Sequence, residues 1–387
     1  MENYLNANAL GFSTEKNGVE NAELLQKIFD KGGTVVISEP GIYKIAKTVY
    51  IGSRTTLKCA NGVFLCKTAE IAPFCNVILN KGALCKTYDS HIVIENLGIM
   101  VNGVDCCNFN VFGLRGQLAF HYADDIKITG FRCYDLGKAQ FAVHICTFYD
   151  VIIEDAIIKG DKDGIHFGRG SRFTVRNCVF ETEDDAIALN AHDYDTSNPE
   201  LGWIENGIVE NCFDLADSKN RPAIGYFCRI LSGTWVEWYE GMQVQKSDTV
   251  ISGGRLYRVS ADPDGKIYIS KTRPNHEKGK QVLDGITWVM VQNEPINNCA
   301  VRNVVFRNIF LEKPRIPFSL HYDSGRYSRS YYPGGIEPVT SNIMLDCVNV
   351  EFDCKIPFIN TVSAFENIVM RDCITGSCTV SDKIKVK

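Results

Sequence analysis

The sequence predicts an all-β fold in which the chain winds into a solenoid of stacked coils. Short units that alternate apolar and polar residues recur along the chain, and alternation with period two is typical of strands. Successive units start 25 residues apart (125 to 150) and 22 residues apart (150 to 172). A period in the low twenties, with turn residues at one phase, predicts a solenoid. The units span 91–99, 125–133, 150–158, 172–180, 206–214, 298–306, 341–350 and 366–375.

One helix is expected, near the N-terminus. Helical periodicity is nearly absent outside residues 21–29, which form a short amphipathic pattern. We expect this helix to cap the N-terminal end of the solenoid, because the end of a stack of coils needs a cover. Asn residues at the turns are expected to form ladders of side-chain amide hydrogen bonds from coil to coil.

Residues 234–293 break the repeat and predict a small inserted β module, so that the solenoid comprises 1–233 and 294–387. Three of the four tryptophans fall in this window, among Gly-Gly, Asp-Pro and Asp-Gly turns. Insertions in solenoids emerge on one face, often the binding face. The aromatic residues of the window either contact a carbohydrate ligand or form the core of the module itself. They are Trp235, Trp238, Tyr239, Tyr257, Tyr268 and Trp288.

The composition is that of a folded globular protein. The chain has 387 residues, of which 45% are hydrophobic and 22% charged, and its net charge is −5. No block of like charges is present, which argues against nucleic acid as the main partner. The sequence has no run of about 18 apolar residues that could span a membrane. Residues 1–10 lack the basic and apolar regions of a signal peptide, so we expect a cytoplasmic protein, of undetermined oligomeric state.

The 16 cysteines are expected to be reduced and buried rather than paired or bound to metal. A cysteine that recurs at one position of the repeat is typical of a small apolar residue stacked in a core. Cys106 and Cys107 are adjacent and no Cys-x-x-Cys pair is present, so no zinc site, other metal or cofactor is expected. The recurring cysteines are Cys178, Cys212, Cys299, Cys347 and Cys373.

Two acidic segments, 160–167 and 183–189, indicate a catalytic site. Each is expected to be a strand with acidic residues at its start, and Asp163 lies 21 residues before Asp184. One coil of about that length would stack Asp163, Asp184 and Asp185 on one face. Three clustered carboxylates repel one another, so at least one pKa should be raised. A single Asp-Gly would be an ordinary turn, but an acid and a base together are what glycosidic bond hydrolysis needs.

These motifs resemble those of the pectin-lyase-like right-handed parallel β-helices, and specifically of glycoside hydrolase family 28, the polygalacturonases. Residues 31–43 are similar to the first coil of that superfamily. Lys162-Asp163-Gly164 occupies the place of the family's Asn-Thr-Asp-Gly motif, and Asp184-Asp185 that of its Gly-Asp-Asp-Cys-Ile motif. The resemblance implies a right-handed parallel β-helix over most of the chain outside the insert.

The chain departs from the family in two motifs. It lacks the family's Gly-His-Gly and the Arg-Ile-Lys that holds the uronate carboxylate, and the nearest substitutes are His192, Arg221 and Arg229. The family 110 α-1,3-galactosidases, which are inverting and act on neutral sugars, also combine this fold with an acidic trio. The insert resembles small carbohydrate-associated β modules in its segments Gly253–Tyr257 and Asp284–Trp288.

The resemblance implies an inverting mechanism with Asp184 as the general acid, while Asp163 and Asp185 hold and deprotonate the attacking water. Asp184 then needs a raised pKa, which its anionic neighbours can supply. The catalytic carboxyl groups should lie ~6.5–9.5 Å apart to leave room for water. Both Asp184 and Asp185 can reach a cleft only if their strand begins with a bulge.

Further residues are expected to bind substrate. His166 follows the first acidic motif on its strand, where it either contacts a sugar hydroxyl or has a structural role. His192 lies on a polar loop after the second motif. The aromatic and basic loop around 317–333 could wall the cleft by stacking and by hydrogen bonds from Arg, or it is an ordinary solvated loop. The predicted substrate-binding residues are His166, His192, Arg221, Arg229, His321, Tyr322, Arg326 and Arg329.

Three function classes fit the sequence. The favoured hypothesis is an inverting, exo-acting glycoside hydrolase that removes α-linked galactose-type or galacturonate-type residues from oligosaccharides or polysaccharides. The second is a polysaccharide lyase or epimerase of the same fold, in which the trio would bind Ca²⁺ and a Lys or Arg, of which only Lys162 is adjacent, would abstract the proton. The third is a non-catalytic, tailspike-like glycan-binding protein, but glycan binding would not need three clustered carboxylates.

Overall fold

The chain forms a right-handed parallel β-helix with one short helix near its N-terminus, as predicted. The computed structural model describes residues 4–218, 223–260, 266–323 and 329–387. Within these residues one α-helix, α1 (Gly18–Phe29), precedes most of the strands, and one short 3-10 helix spans Lys81–Leu84. No helix among them is long and apolar enough to cross a membrane.

The strands before the insert are β1 (Tyr4–Asn6), β2 (Gly33–Ile37), β3 (Gly41–Ile45), β4 (Val49–Ile51), β5 (Thr55–Cys59), β6 (Val63–Lys67), β7 (Ile78–Asn80), β8 (Asp89–Glu95), β9 (Gly98–Met100), β10 (Gly116–Thr129), β11 (Arg132–Leu136), β12 (Phe141–Glu154), β13 (Ile157–Gly160), β14 (Ile165–Phe167), β15 (Gly170–Arg176), β16 (Val179–Thr182), β17 (Ile187–Asn190), β18 (Ile204–Asp214) and β19 (Cys228–Leu231). Those in and beside the insert are β20 (Gly233–Thr234), β21 (Val236–Glu237), β22 (Met242–Val244), β23 (Thr249–Ser252), β24 (Arg255–Val259), β25 (Tyr268–Ser270), β26 (Lys280–Leu283), β27 (Ile286–Gln292) and β28 (Asn298–Cys299). The strands after it are β29 (Val301–Leu311), β30 (Phe318–His321), β31 (Thr340–Val350), β32 (Ile359–Thr361), β33 (Phe365–Arg371) and β34 (Lys385–Val386).

Each coil contributes strands to three parallel faces. The first face runs through β2, β5, β8, β10, β12, β15, β18, β29, β31 and β33. The second runs through β3, β6, β9, β11, β13 and β16 to β18, and the third through β4, β7, β10, β12, β14, β17, β19, β30 and β32. The connections from β13 to β14 and from β16 to β17 therefore lie one above the other, at the corner between the second and third faces.

The helix α1 covers the first coils. It begins at its N-cap residue Asn17, whose side chain accepts a hydrogen bond from the Glu20 N–H at 2.9 Å. The helix therefore starts three residues before the predicted 21–29. Leu25, Ile28 and Phe29 are buried in the solenoid core, so packing as well as capping holds the helix in place.

Asn ladders join the turns, as predicted. Asn177, Asn211 and Asn308 stack in three successive coils, with amide-to-carbonyl hydrogen bonds of 3.3 Å and 3.1 Å between them. All three adopt a left-handed conformation, with φ between 51° and 55°. Asn tolerates this conformation better than other residues with a side chain. Asn therefore suits this corner in two ways: it tolerates the left-handed backbone, and its side-chain amide finds hydrogen-bond partners in the neighbouring coils.

All 16 cysteines are free thiols, and ten of them are buried. Cys178, Cys212 and Cys299 lie in the core, as predicted from their repeat position. Cys347 and Cys373 are only partly buried. Burial raises the pKa of the Cys133 thiol to about 12, so this thiol is neutral at physiological pH.

The inserted module has its own sheets and its own core. Within the described residues, β21, β23, β24, β27 and β26 form one sheet, β22 and β25 form another, and neither joins the solenoid strands. Trp238, Tyr257, Tyr268 and Trp288 are buried together in the module. Trp235 belongs instead to the solenoid core, and Tyr239 is 53% exposed. Most aromatic residues of the insert therefore form its core rather than a ligand surface.

Replacing Asn211 with Ala is expected to lower the free energy of unfolding by about 2–4 kcal/mol, measured by urea denaturation. The variant loses two ladder hydrogen bonds, at about 0.5–1.5 kcal/mol each, and places a Cβ without a polar group in a left-handed conformation, at about 1 kcal/mol. Asn211→Gly is the matched control, because it loses the ladder but adopts this conformation freely. Equal stability of Asn211→Ala and the wild type would contradict the role of the ladder.

Candidate active site

Each acidic segment ends in a strand, β14 or β17, as expected, but its acidic residues lie in the irregular connection before that strand. Residues 161–164 connect β13 to β14, and residues 183–186 connect β16 to β17. Ile165 pairs with Ile187, so one coil spans 22 residues here. Asp163 therefore lies beside Asp185, and Lys162 lies beside Asp184. The sequence had instead predicted that Asp163 lies beside Asp184, so the observed register differs from the predicted one by one residue.

The three predicted carboxylates come together. Asp163, Asp184 and Asp185 each offer an oxygen, and these oxygens lie within 4.8 Å of one another. Asp184 and Asp185 precede β17 in an irregular segment, so their shared position needs no bulge within a strand. The nearest oxygens are closer than the ~6.5–9.5 Å expected between the carboxyl groups of an inverting pair. This spacing alone therefore does not decide whether the anomeric configuration would be inverted or retained.

The following coils hold the backbone of Asp184 and the side chain of Asp185. Arg315 is buried and donates one hydrogen bond to the Asp184 carbonyl at 2.7 Å and two to the Asp214 carboxylate at 2.9 Å and 2.6 Å. The Tyr226 N–H donates to Asp185 Oδ1 at 2.9 Å. A Cβ on Gly225 would lie 2.5 Å from the Asp185 nitrogen, so only glycine lets the coils approach this closely.

Two basic side chains offset part of the negative charge of the three carboxylates. Lys162 forms an ion pair with Asp184, and its Nζ lies 3.8 Å from Asp163 Oδ1. Arg229 Nε lies 3.0 Å from Asp185 Oδ2, and Arg229 Nη2 lies 3.6 Å from Asp193 Oδ2. These two cations supply the counter-charge that buried carboxylates require.

The environments of the carboxylates separate their pKa values. Burial and the Asp184 charge raise the pKa of Asp163 to about 7. Burial, together with Asp184 and Asp163, also raises the pKa of Asp185 to about 7, although Arg229 opposes this. Asp184 is buried too, but Lys162 and Arg229 hold its pKa below the ordinary value. The expectation of a raised pKa for Asp184 was therefore wrong, because Lys162 stacks directly against it.

His166 supports Asp163 from below the site. Its Nδ1 lies 2.9 Å from Asp163 Oδ2, and its Nε2 lies 3.6 Å from Asp193 Oδ2. The ring stacks on Phe141 with 4.2 Å between centroids. Burial lowers the pKa of His166 well below its ordinary value, so the imidazole is neutral. Because the side chain has no exposed surface, the predicted contact of His166 with substrate is wrong, and it orients Asp163 instead.

A cavity of about 600 Å³ opens above the acids. Asp163 and Asp184 line it, while Asp185 lies behind them. The side chain of Asp184 is 13% exposed and that of Asp163 is 2% exposed. The remaining lining residues are Arg115, Lys138, Phe141, Lys162, Tyr194, Ile224 and Arg229.

Arg115 lies in the cavity wall without a carboxylate partner. Its Nη1 donates to Tyr194 Oη at 2.6 Å and to Ser197 Oγ at 3.1 Å, and its Nη2 donates to the Cys107 sulfur at 3.2 Å. Its Nε has no hydrogen-bond partner, and the guanidinium lies over the Phe141 ring. Within the described residues, no carboxylate oxygen lies within 4.0 Å of this buried cation.

Of the other predicted substrate-binding residues, some line the cavity and some do not. Arg229 lines the cavity, as expected for a substrate contact. His192 does not line it, because it is buried against Trp235 and Gly233. Arg329 is committed to an ion pair with Asp248 of the insert and is not available to a substrate. Arg221 and Arg326 lie outside the described residues.

His321 and Tyr322 also lie away from the cavity lining. His321 Nε2 lies 3.3 Å from Asp323 Oδ1, and its ring packs 6.3 Å from the Tyr226 ring. The Tyr322 ring lies 5.9 Å from the Tyr331 ring. His321 is the last residue of β30 and Tyr322 follows it, one coil beyond Arg229, and neither residue lines the cavity.

Sequence reasoning missed several residues of the cavity and its network, among them Arg115, Phe141, Asp193 and Tyr194. Phe141 is 22 residues before Asp163, so the coil period could have found it. Asp193 and Tyr194 adjoin the predicted His192, and only the path of the connection from β17 to β18 decides which of the three faces the site. Arg115 precedes β10 by one residue and carries no motif of its own.

The trio is also the donor type that a divalent cation prefers, since hard cations bind clustered carboxylate oxygens. Lys162 and Arg229 already lie against Asp184 and Asp185, however. A cation would have to displace Lys162 or share its carboxylate, so the site as folded fits a metal poorly.

No protein-family model matches the chain, and no curated protein matches its sequence. Similar solved structures include the surface adhesin PfbA of Streptococcus pneumoniae, with 13% identity, a TM-score of 0.50, and coverage of 100% of this chain and 90% of that one. The full-length tailspike protein 2 from Escherichia coli O157:H7 bacteriophage CAB120 has 7% identity, a TM-score of 0.51, and coverage of 100% and 41%. A family 28 exopolygalacturonase of Yersinia enterocolitica has 12% identity, a TM-score of 0.48, and coverage of 100% and 77%. The likenesses to the adhesin and to the tailspike protein, with TM-scores of 0.50 and 0.51, support the predicted β-helix fold.

Asp163→Asn is expected to change stability in a pH-dependent way. Folded Asp163 keeps its proton up to about pH 7, whereas an unfolded Asp releases it near pH ~3.9. The wild type therefore loses stability as the pH rises through this interval, because its folded state binds more protons than its unfolded state. Asp163→Asn cannot ionise, so its melting temperature relative to the wild type should rise between about pH 4 and about pH 7.

Asp184→Asn is the matched control for this measurement. The pKa of Asp184 is lowered, so the stability it contributes is present above the unfolded pKa and is lost only as the pH falls through the folded value. Above about pH 5 the melting-temperature difference of this variant should rise less steeply than that of Asp163→Asn, because there it reflects only the lower pKa values that Asp163 and Asp185 adopt without the Asp184 charge. The same pH slope in both variants would contradict the separation of the two pKa values.

Proposed function

We propose that the protein is an inverting glycoside hydrolase that removes α-linked galacturonate-type or galactose-type residues from the ends of oligosaccharides or polysaccharides. One observation supports this most: two carboxyl groups of opposite protonation preference face one polar cavity. Asp163, whose pKa is about 7, and Asp184, whose pKa is lowered, both line that cavity. Pairs of carboxyl groups whose environments push their pKa values apart are typical of glycosidases.

The protonation states favour Asp163 as the proton donor and Asp184 as the base. Asp163 would protonate the glycosidic oxygen as its bond to the anomeric carbon breaks. Asp184 would take a proton from the water that attacks the anomeric carbon from the other side of the ring. This reverses the roles that the family resemblance implies for these residues. Asp185, which lies behind these two residues and is held by Arg229 and Tyr226, would keep the local negative charge low by retaining its proton.

The charges of the cavity support an acidic sugar. Arg115 is a buried cation without a carboxylate partner among the described residues, and Lys138 lies at the exposed rim. Burying an unpaired charge is costly, and a guanidinium matches a carboxylate in bidentate geometry. A galacturonate carboxylate would supply the missing partner. The volume of about 600 Å³ is that of a pocket for a small ligand, which supports action at chain ends.

Asp184→Asn and Asp163→Asn are each expected to lower hydrolysis of galacturonan oligosaccharides by about 10²–10⁴-fold, because each removes one acid–base group. Binding of the same oligosaccharides, measured by calorimetry, should persist. An aryl glycoside with a good leaving group needs no proton donor, so Asp163→Asn should keep most of its activity on it and Asp184→Asn should not.

Asp155→Asn serves as the control, since Asp155 is an exposed turn residue of the neighbouring coil. The opposite pattern with the aryl glycoside would make Asp184 the acid and Asp163 the base. Unchanged hydrolysis in both variants would contradict the proposed function.

Arg115→Gln is expected to lower kcat/KM for galacturonate substrates by about 10–100-fold, the effect of losing a charge-assisted hydrogen bond. Hydrolysis of neutral α-galactosides should change by less than about threefold. Arg115→Lys should recover part of the loss because it restores the charge. Arg172→Gln, which removes an exposed arginine paired with Asp150, is the control. Equal losses on acidic and neutral substrates would contradict uronate recognition by Arg115.

A further inference from the structure

One loop forms a wall of the candidate active site. Residues 191–203 connect β17 to β18, and Asp193, Tyr194 and Ser197 within them contact the catalytic surroundings. Asp193 lies 3.6 Å from both His166 Nε2 and Arg229 Nη2. Tyr194 and Ser197 accept the two hydrogen bonds of Arg115 Nη1. The position of this loop therefore fixes the orientation of the groups that surround the acids.

The inserted module forms hydrogen bonds with the same loop on the side opposite the acids. Arg258 of β24 is only 3% exposed, and its guanidinium donates to three backbone carbonyls of the loop. Nη1 donates to the carbonyls of Asp193 and Tyr194, both at 3.2 Å, and Nη2 donates to the carbonyl of Asn198 at 2.9 Å. Two of these three residues have side chains in the site described above.

Further polar contacts of the insert converge on the loop. The Asp195 N–H donates to Ser247 Oγ at 3.1 Å, and Ser260 Oγ donates to Asp195 Oδ2 at 3.0 Å. The Leu201 N–H donates to the side-chain oxygen of Gln292 at 2.9 Å. Loop segments without regular structure must find donors and acceptors for their buried backbone groups, and here the insert supplies them.

The strand that carries Arg258 is well placed to act as a rigid support. β24 pairs with β23 on one side and with β27 on the other, and Tyr257 beside Arg258 is buried in the core of the insert. A functional group is positioned most accurately when regular, well-packed elements hold it.

We propose that the insert is an internal brace of the active site, and that Arg258 is a positioning residue that holds the loop 191–203 against the cavity. This differs from the role of a carbohydrate-contacting module, which the sequence of the insert resembles. The link to catalysis rests on the function proposed above, whereas the bracing of the loop does not.

Hydrogen exchange measured by mass spectrometry tests the brace without reference to activity. In Arg258→Met the amides of Asp195, Ser197 and Leu201 are expected to exchange about tenfold faster or more, because the loop loses three charge-assisted hydrogen bonds. Arg255→Met is the matched control, since Arg255 lies on the same strand and pairs with Glu277 instead of the loop. Unchanged exchange of these amides in Arg258→Met would overturn the proposal.

Kinetics test the consequence for the site. Arg258→Met should lower kcat by about 10–100-fold, because a displacement of the groups around the acids by about 1 Å reduces the rate by up to about 100-fold. KM should change little, and Arg258→Lys should recover part of kcat. Faster loop exchange with unchanged kcat would show that the brace does not serve catalysis. If the wild type hydrolyses no glycoside, the proposed function fails and the exchange experiment still decides whether the brace exists.

A milder variant covers the case in which Arg258→Met does not fold. Ser247→Ala combined with Ser260→Ala removes the two contacts to Asp195 and leaves the guanidinium in place. Exchange of the Asp195 amide should then increase while exchange in the solenoid strands stays unchanged. No increase at Asp195 would overturn the proposal in this variant as well.

Discussion

The structure depends on the direct stacking of one coil on the next. Parallel strands lie about 4.8 Å apart, so residues one coil apart in sequence become neighbours whatever their charge. Between β14 and β17 that period is 22 residues, which aligns Asp163 with Asp185 and Lys162 with Asp184. The same register aligns Phe141 with Asp163 and requires glycine at position 225, beneath Asp184. The site is thus a property of register rather than of any single motif.

Charge balance decides what this cluster can do. Three carboxylates that approach within 4.8 Å would destabilise the fold if all were ionised and unpaired. Lys162 and Arg229 offset part of the charge, and the raised pKa values of Asp163 and Asp185 offset more by retaining protons. The result is a protonated carboxyl group beside an ionised one, both at a cavity that also contains Arg115, which has no carboxylate partner among the described residues. A purely structural cluster has no evident need for such an arrangement.

The sequence was sufficient for the architecture and for the three acids, because both follow from a repeat that is visible residue by residue. It was insufficient for the partners of those acids. A one-residue difference in coil length decides whether Lys162 or Asp163 lies beside Asp184, and this difference inverts the expected pKa of Asp184. His192 and Arg329 have suitable chemistry, but Trp235 and Asp248 engage them. Arg115 and Arg258 act through contacts with loop residues that lie 60 to 82 positions away in the sequence, and no local pattern reveals such contacts.

The most direct test of the central claim is an NMR time course of the wild-type protein with galacturonan oligosaccharides and α-galactosides, with and without EDTA. An inverting hydrolase should release a saturated sugar that appears first as its β anomer, at a rate that the chelator does not change. An unsaturated product that disappears with EDTA would contradict this account, because the three carboxylates would then be a metal site of a lyase.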